Sequence, residues 1–294
     1  MLSTYPPRHC GIAVFTDDLH DALATAAPDL ETVICAVDRD GEEYGPGVEF
    51  VLRQDEFEDY AKTAAAIADS GIGAVVIQHE YGIYGGPDGS WITTFADVLH
   101  ARGVPYLVTL HTLLSDPSPG QAAVLRRLCR NAFAVSVFTE TARHLAVHTG
   151  VTAPDRIVVV PHGAPTVLHT EPSMLLRDPA YAREIRPEVA ALLIDSHGKR
   201  ILSTFGLISP GKGLETAITA VANVAEDHPD IRYVIAGATH PEVVKLHGED
   251  YRQQLGDLVA DLRVEELVRF LDFFLSDVEI ALLLHRTEVF LTPY

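Results

Sequence analysis

Cysteine is scarce in this chain: Cys10, Cys35 and Cys129 are odd in number and far apart. That excludes a disulfide frame or a metal knuckle and reads as reduced thiols in a cytosolic protein. Although 47% of the residues are hydrophobic, no apolar run reaches eighteen residues, so no transmembrane helix is expected. The opening Met-Leu-Ser-Thr-Tyr-Pro-Pro has neither a basic n-region nor an apolar h-region. No export signal is read there, and a cytoplasmic location is expected. Positive charge is also short, with 22 Lys and Arg against 41 Asp and Glu, for a net charge of −19. A nucleic-acid backbone or an anionic membrane surface is therefore a poor partner, and an anionic ligand has to be held by local features. Trp91 is the single tryptophan and reads as helix packing. No internal repeat or low-complexity tract is present beyond duplicated βα architecture, and 294 residues suffice for two medium domains.

What is present is strand and helix in alternation. The stretch Ile201–Ile208 is apolar and β-forming, Ser209-Pro-Gly-Lys-Gly213 breaks it, and Leu214, Ala217, Ile218, Val221 and Ala222 follow at helical spacing. A strand, a tight Gly/Pro loop carrying Lys212 and a helix N-terminus together form an anion cradle suited to a diphosphate. The bland reading is a connection whose lysine is merely solvated. Upstream, strands are predicted at Leu2–Tyr5, Thr32–Val37, Val48–Leu52, Ala74–Gln78, Pro105–Leu110, Ala132–Val137 and Arg156–Val160, separated by helices from Phe57 and Trp91 among others. This succession predicts an α/β fold of doubly wound parallel sheets, with ligands beyond the carboxyl ends of strands. Gly11, His79, His111 and His162 each fall just past a predicted strand. Residues 1–165 read as one Rossmann-like domain. Residues 166–199, with Pro172, Pro179 and Pro187, read as a linker with a short helix, and residues 200–294 as part of a second Rossmann-like domain. Both chain ends look trimmed, because the first strand is short and the last ends at a bare edge.

The segment Gly206-Leu-Ile-Ser-Pro-Gly-Lys-Gly213 nearly matches a P-loop. Gly213 stands where that loop needs a hydroxyl to hold Mg²⁺, which argues against a phosphoryl-transfer reading. A broader pattern resembles retaining glycosyltransferases of the GT-B fold, family 4. It consists of Tyr5-Pro-Pro-Arg-His-Cys-Gly11, Thr109-Leu-His111, Pro161-His-Gly-Ala164, Gly206-Leu-Ile-Ser-Pro-Gly-Lys-Gly213, Ile235-Ala-Gly237 and Val268-Arg-Phe-Leu-Asp272, in order. The resemblance implies two Rossmann-like domains, the second incomplete, closing on a nucleotide-diphosphate sugar. It implies that Gly211, Lys212, Gly213 and, from the first domain, Gly11 hold the donor diphosphate. His111 would contact the donor sugar near the reacting carbon. The sugar would pass to a hydroxyl of a glycan, lipid-linked or small-molecule acceptor with retention of configuration. No cofactor and no metal is implied, and no metal-ligand spacing is present.

Two departures accompany the resemblance. Leu207 stands where the family has an arginine, and the family's acidic motif would lie beyond Tyr294. Non-catalytic sugar or nucleotide binding, or another GT-B activity such as nucleotide-sugar epimerisation, therefore stand as alternatives. Residue by residue, His79 and Glu80 read either as an acceptor-side acid–base pair or as a hydrogen-bonded loop pair. Tyr81 and Tyr84 read as sugar-stacking rings or as aromatics anchoring a loop to the core. His162 reads as a ligand contact or a hinge contact, and His111 without its motif would be an ordinary strand-end histidine.

Overall fold

The structure, a computed structural model, describes residues 1–293. The chain separates into two compact units, residues 1–163 and 164–294; Tyr294, the expected end of the second domain, lies outside the described residues.

Among the described residues, the first unit runs β1 (Leu2–Ser3), α1 (Gly11–Ala26), β2 (Ile34–Asp38), β3 (Val48–Arg53), α2 (Phe57–Asp69), β4 (Val75–His79), α3 (Ile92–Ala101), β5 (Tyr106–Leu110), α4 (Pro119–Cys129), β6 (Ala134–Val137), α5 (Glu140–His148) and β7 (Ile157–Val159). Its strands form one sheet in the order β3-β2-β1-β4-β5-β6-β7, and every pairing is parallel. Helices cover a sheet of this kind on both faces, so its strands are apolar without alternation: all five residues of β2 are buried. Leu2, Val37, Ile77, Val108 and Val135 from the strands pack with Tyr60, Phe95, Leu99 and Leu128 from the helices. The helix starts are set chemically. The Cys10 thiol accepts from the Ala13 amide at 3.3 Å, Ser118 and Gln121 form a capping box ahead of α4, and the Thr139 hydroxyl caps α5.

The second unit contains α6 (Pro172–Arg177), α7 (Pro179–Ala182), α8 (Pro187–Asp195), β8 (Arg200–Phe205), α9 (Leu214–Val224), β9 (Ile231–Ala236), α10 (Pro241–His247), α11 (Asp250–Asp261), β10 (Val268–Leu271), α12 (Asp277–Arg286) and β11 (Thr287–Phe290). Its sheet has the order β10-β9-β8-β11, again parallel throughout. In each unit the strand order reverses once, at β1/β4 in the first and β8/β11 in the second. A sheet of this kind binds its ligands at such a reversal, beyond the carboxyl ends of the strands.

Three sequence expectations change. The segment read as a linker with one short helix is α6 to α8. Leu175 is fully buried against Val278, Ala281 and Leu282, while Val189 and Leu192 pack on Ile201, Val234 and Leu271 of the sheet. The buried Glu279 carboxylate fixes the start of α8, accepting from the Arg186 amide at 2.8 Å and its guanidinium at 3.0 Å. Second, β8 stops at Phe205 rather than Ile208, because Gly206 leaves the extended region with φ +119°. Third, α10 was not anticipated.

Candidate functional site

The carboxyl edge of β8 is built from backbone. Gly206 donates its amide to Ala236 O at 3.0 Å. Its carbonyl lies so close to Gly237 that a Cβ there would collide with it, and Gly237 itself sits at φ +147°. Only glycine combines that dihedral with that approach. The chain resumes pairing at Ile208, bridged to Thr239. It then makes a single 3₁₀ turn over Pro210–Lys212, and Gly213, left-handed at φ +61°, forms the N-cap of α9. No side chain caps α9, so its first-turn amides and the positive end of its dipole face the loop. Lys212 turns back over the strand end, with Nζ 3.8 Å from where a Cβ on Gly206 would stand. The loop thus brings Gly206, Gly211, Lys212 and Gly213 together, with Leu207 half-buried among them. Sequence reasoning missed Arg252. Its guanidinium donates to Gly237 O at 2.7 Å and to Thr239 Oγ1 at 3.1 Å and pairs with Asp272, tying the ends of β9 and β10 under this loop. An arginine in the first turn of a helix gives no motif by which to find it.

The first unit's carboxyl edge is built from rings. His111 follows β5, and its imidazole lies 4.9 Å from the Phe15 ring and 5.1 Å from the Phe138 ring. His162, after β7, packs on the same two phenylalanines, 4.9 Å from each. Burial among these rings, followed by the charge of His162, pushes the His111 pKa down to about 4, so its ring is neutral near pH 7. His111 Nε2 meets Gln78 Oε1 at 2.9 Å. Phe15, Phe138 and Gln78 were not singled out in the sequence, although Gln78 shares with His111 the face opposite Ile77 and Leu110 by strand parity.

Gly11 opens α1, exposed, with nothing within 4 Å of the position its Cβ would take. The preceding loop is anchored on both sides of it. The Tyr5 hydroxyl donates to Asp17 at 2.6 Å, and Arg8 donates to Val37 O at 3.3 Å and Gln54 Oε1 at 3.0 Å.

Two expected ligand contacts prove to be interior groups. Tyr84 is buried, its hydroxyl donating to Gln78 O at 2.6 Å. It is a core anchor and not a stacking platform. His79 is fully buried, with neither ring nitrogen hydrogen-bonded among the described residues, and its pKa is pushed down to about 3, chiefly by desolvation. It belongs with Val75 and Ile77 on the core face of β4 rather than in an acid–base pair. Glu80 instead bridges two loops, accepting from the Tyr81 amide at 2.9 Å and from the Thr112 hydroxyl. Trp91 packs on Phe57 and Tyr60, as expected. Among the described residues no three His, Cys, Asp or Glu side chains converge as metal ligands, and no helix is long and apolar enough to cross a membrane.

Residues 190–294, which include the whole Lys212 loop, match the family model of glycosyl transferases group 1. The chain resembles GT-B glycosyltransferases. A D-inositol 3-phosphate glycosyltransferase of Corynebacterium efficiens is 30% identical over 182 residues, covering 58% of this chain and 39% of the relative. The Corynebacterium glutamicum protein of the same name is 29% identical over the same length. This chain therefore spans about two fifths of these relatives. The Anabaena protein HepE, solved with UDP, superposes at a TM-score of 0.68 with 17% identity, covering 98% of this chain and 72% of its own. The Escherichia coli trehalose-6-phosphate protein bound to UDP-2-fluoro glucose gives 0.63 at 16% identity, covering 99% of this chain and 77% of its own. At these identities the structural likeness establishes the GT-B type of fold, two Rossmann-like α/β units, and nothing finer.

Proposed function

We propose that this chain transfers a sugar from a nucleoside-diphosphate donor to a hydroxyl acceptor, with retention of configuration. The observation that carries the reading is the loop Gly206–Gly213. It is a glycine-lined turn with a lysine, set at the strand-order reversal seen among the described residues of its sheet and running into a helix without a side-chain cap, all within the segment matching the glycosyltransferase family model. Backbone amides and Lys212 there suit the negative charge of a diphosphate. As that group departs with the bonding electrons of the glycosidic bond, negative charge grows on it, and preorganised amides with a lysine stabilise the growing charge. No side-chain nucleophile is needed, since the leaving phosphate can itself accept the acceptor's proton.

On the first unit, Gly11 is proposed as a further diphosphate contact and His111 as the group meeting the donor sugar. A neutral imidazole at the end of β5 offers a directed hydrogen bond without competing for the charge on the diphosphate. His162 shares its aromatic surround and is proposed as a contact on the same edge. Neither a cofactor nor a metal is part of the proposal. Structural neighbours solved with UDP and UDP-glucose support a uridine donor, and the curated relatives make a phosphorylated cyclitol one acceptor to try beside glycans and lipid-linked sugars.

The test is a panel of UDP-, ADP- and GDP-sugars with sugar, lipid-linked and inositol phosphate acceptors, read by proton NMR for the product and its anomeric configuration. Transfer with retention supports the reading. Nucleotide-sugar binding that yields no product would instead favour a binding protein, for which the leucine at position 207 speaks, because one cationic contact expected from the family pattern is missing.

A further inference from the structure

We infer that Gln78 is a positioning residue that fixes the tautomer of His111, holding its proton on Nε2 and leaving Nδ1 as the ring's only acceptor. This rests on the role proposed above for His111. The side chain of Gln78 is fully buried, and its register partner Thr109 lies two residues before His111 on the neighbouring strand β5. Its Oε1 meets His111 Nε2 at 2.9 Å. A neutral imidazole carries one N–H and one lone pair, and an amide oxygen only accepts, so this contact needs the proton on Nε2. The histidine is fixed in other ways too. Its backbone amide donates to His79 O at 3.0 Å, and Phe15 and Phe138 flank the ring, so the ring plane is constrained as well. The backbone at Gln78 is rigid as well, since its carbonyl accepts the buried Tyr84 hydroxyl at 2.6 Å.

Strand β4 explains why the amide is there. Val75, Ile77 and His79 fill one face, and an apolar residue at 78 would complete the other. A buried amide whose Nε2 has no hydrogen-bond partner is costly in a sheet interior. The hydrogen bond to His111 is the interaction that distinguishes glutamine from an apolar residue at this position.

The experiment is long-range ¹H–¹⁵N NMR of the imidazole nitrogens in the intact chain at neutral pH, with His111 assigned by its loss in His111→Ala. The expected spectrum shows a pyrrole-type Nε2 and a pyridine-type Nδ1. In Gln78→Leu that pattern collapses to averaged shifts or inverts. A pyrrole-type Nδ1 in the unaltered protein would overturn the proposal, because the amide would then present its nitrogen to the ring. So would an unchanged His111 signal in Gln78→Leu. Calorimetry with UDP and UDP-glucose separates this idea from the function it rests on. Gln78→Leu should weaken UDP-glucose by roughly two- to tenfold, the scale of one hydrogen bond, and leave UDP unchanged. If neither nucleotide binds the unaltered chain, the proposed function fails, while the tautomer result stands or falls on the spectra alone.

Discussion

The two units carry the same architectural feature, a parallel sheet whose strand order reverses once, but finish its carboxyl edge differently. In the second unit the edge is main chain. Gly206, Gly213 and Gly237 take dihedrals that other residues avoid, and the Lys212 ammonium lies close to Gly206. In the first unit the edge is a group of rings, with half-buried His111 and exposed His162 both packed against Phe15 and Phe138. Amides and a cation suit a polyanion. Rings and a neutral imidazole suit a sugar, whose hydroxyls want directed hydrogen bonds and whose faces pack on apolar surface. One edge is specified by backbone geometry and the other by burial, so they should fail under different perturbations.

Acid should separate them most. His79 and His111 have folded pKa values pushed below the usual 6.5, to about 3 and about 4. Below 6.5 the unfolded chain binds protons that the folded chain refuses. Their stabilisation is therefore complete above pH 6.5 and is lost as pH falls toward 4, at about 1.4 kcal/mol per pH unit for each ring. Trp91, the single tryptophan, lies in the first unit, so its fluorescence during denaturant titrations at pH 7 and pH 4.5 reads this directly. A midpoint that does not move would remove the desolvated-imidazole description.

Substitution of Gly237 by alanine should be next, costing about 2–4 kcal/mol through strain at positive φ and collision with the Gly206 carbonyl. Thermal unfolding would register it. Lys212→Ala should leave folding intact but weaken UDP binding by about ten- to a hundredfold, the range of a charge-assisted contact. An unchanged dissociation constant would take Lys212 out of the site. Tyr84→Phe removes one buried hydrogen bond and should cost only about 0.5–1.5 kcal/mol, with no change in nucleotide affinity. Gly11→Ala should be smallest in stability. The new Cβ meets nothing within 4 Å, and alanine suits a helix better by up to about 1 kcal/mol. A loss of UDP affinity in this stable variant would mark Gly11 as a ligand contact.

The contrast also explains what the sequence disclosed. Backbone-specified features leave glycines and prolines in the text, so the Lys212 loop is legible in residues 206–213. Burial leaves weaker marks. His79 looks like a strand-end histidine until strand parity places it with Val75 and Ile77 on the core face, and Tyr84 is indistinguishable in sequence from an exposed loop aromatic. Proline misled in one place. Pro172, Pro179 and Pro187 suggested an irregular linker, yet each stands at the first turn of a helix, where its fixed φ fits and its missing N–H costs nothing. Helix α10 begins at Pro241 in the same way, and only seven residues with β-branched Val243 and Val244 gave too little periodicity to find it.

The central claim is that the loop after β8 holds the donor diphosphate, and backbone amide shifts during a UDP titration of the intact chain test it most directly. The account predicts saturable changes at Gly211, Lys212, Gly213 and the first turn of α9, lost in Lys212→Ala. Saturating UDP that shifts amides elsewhere and leaves these unmoved would contradict it.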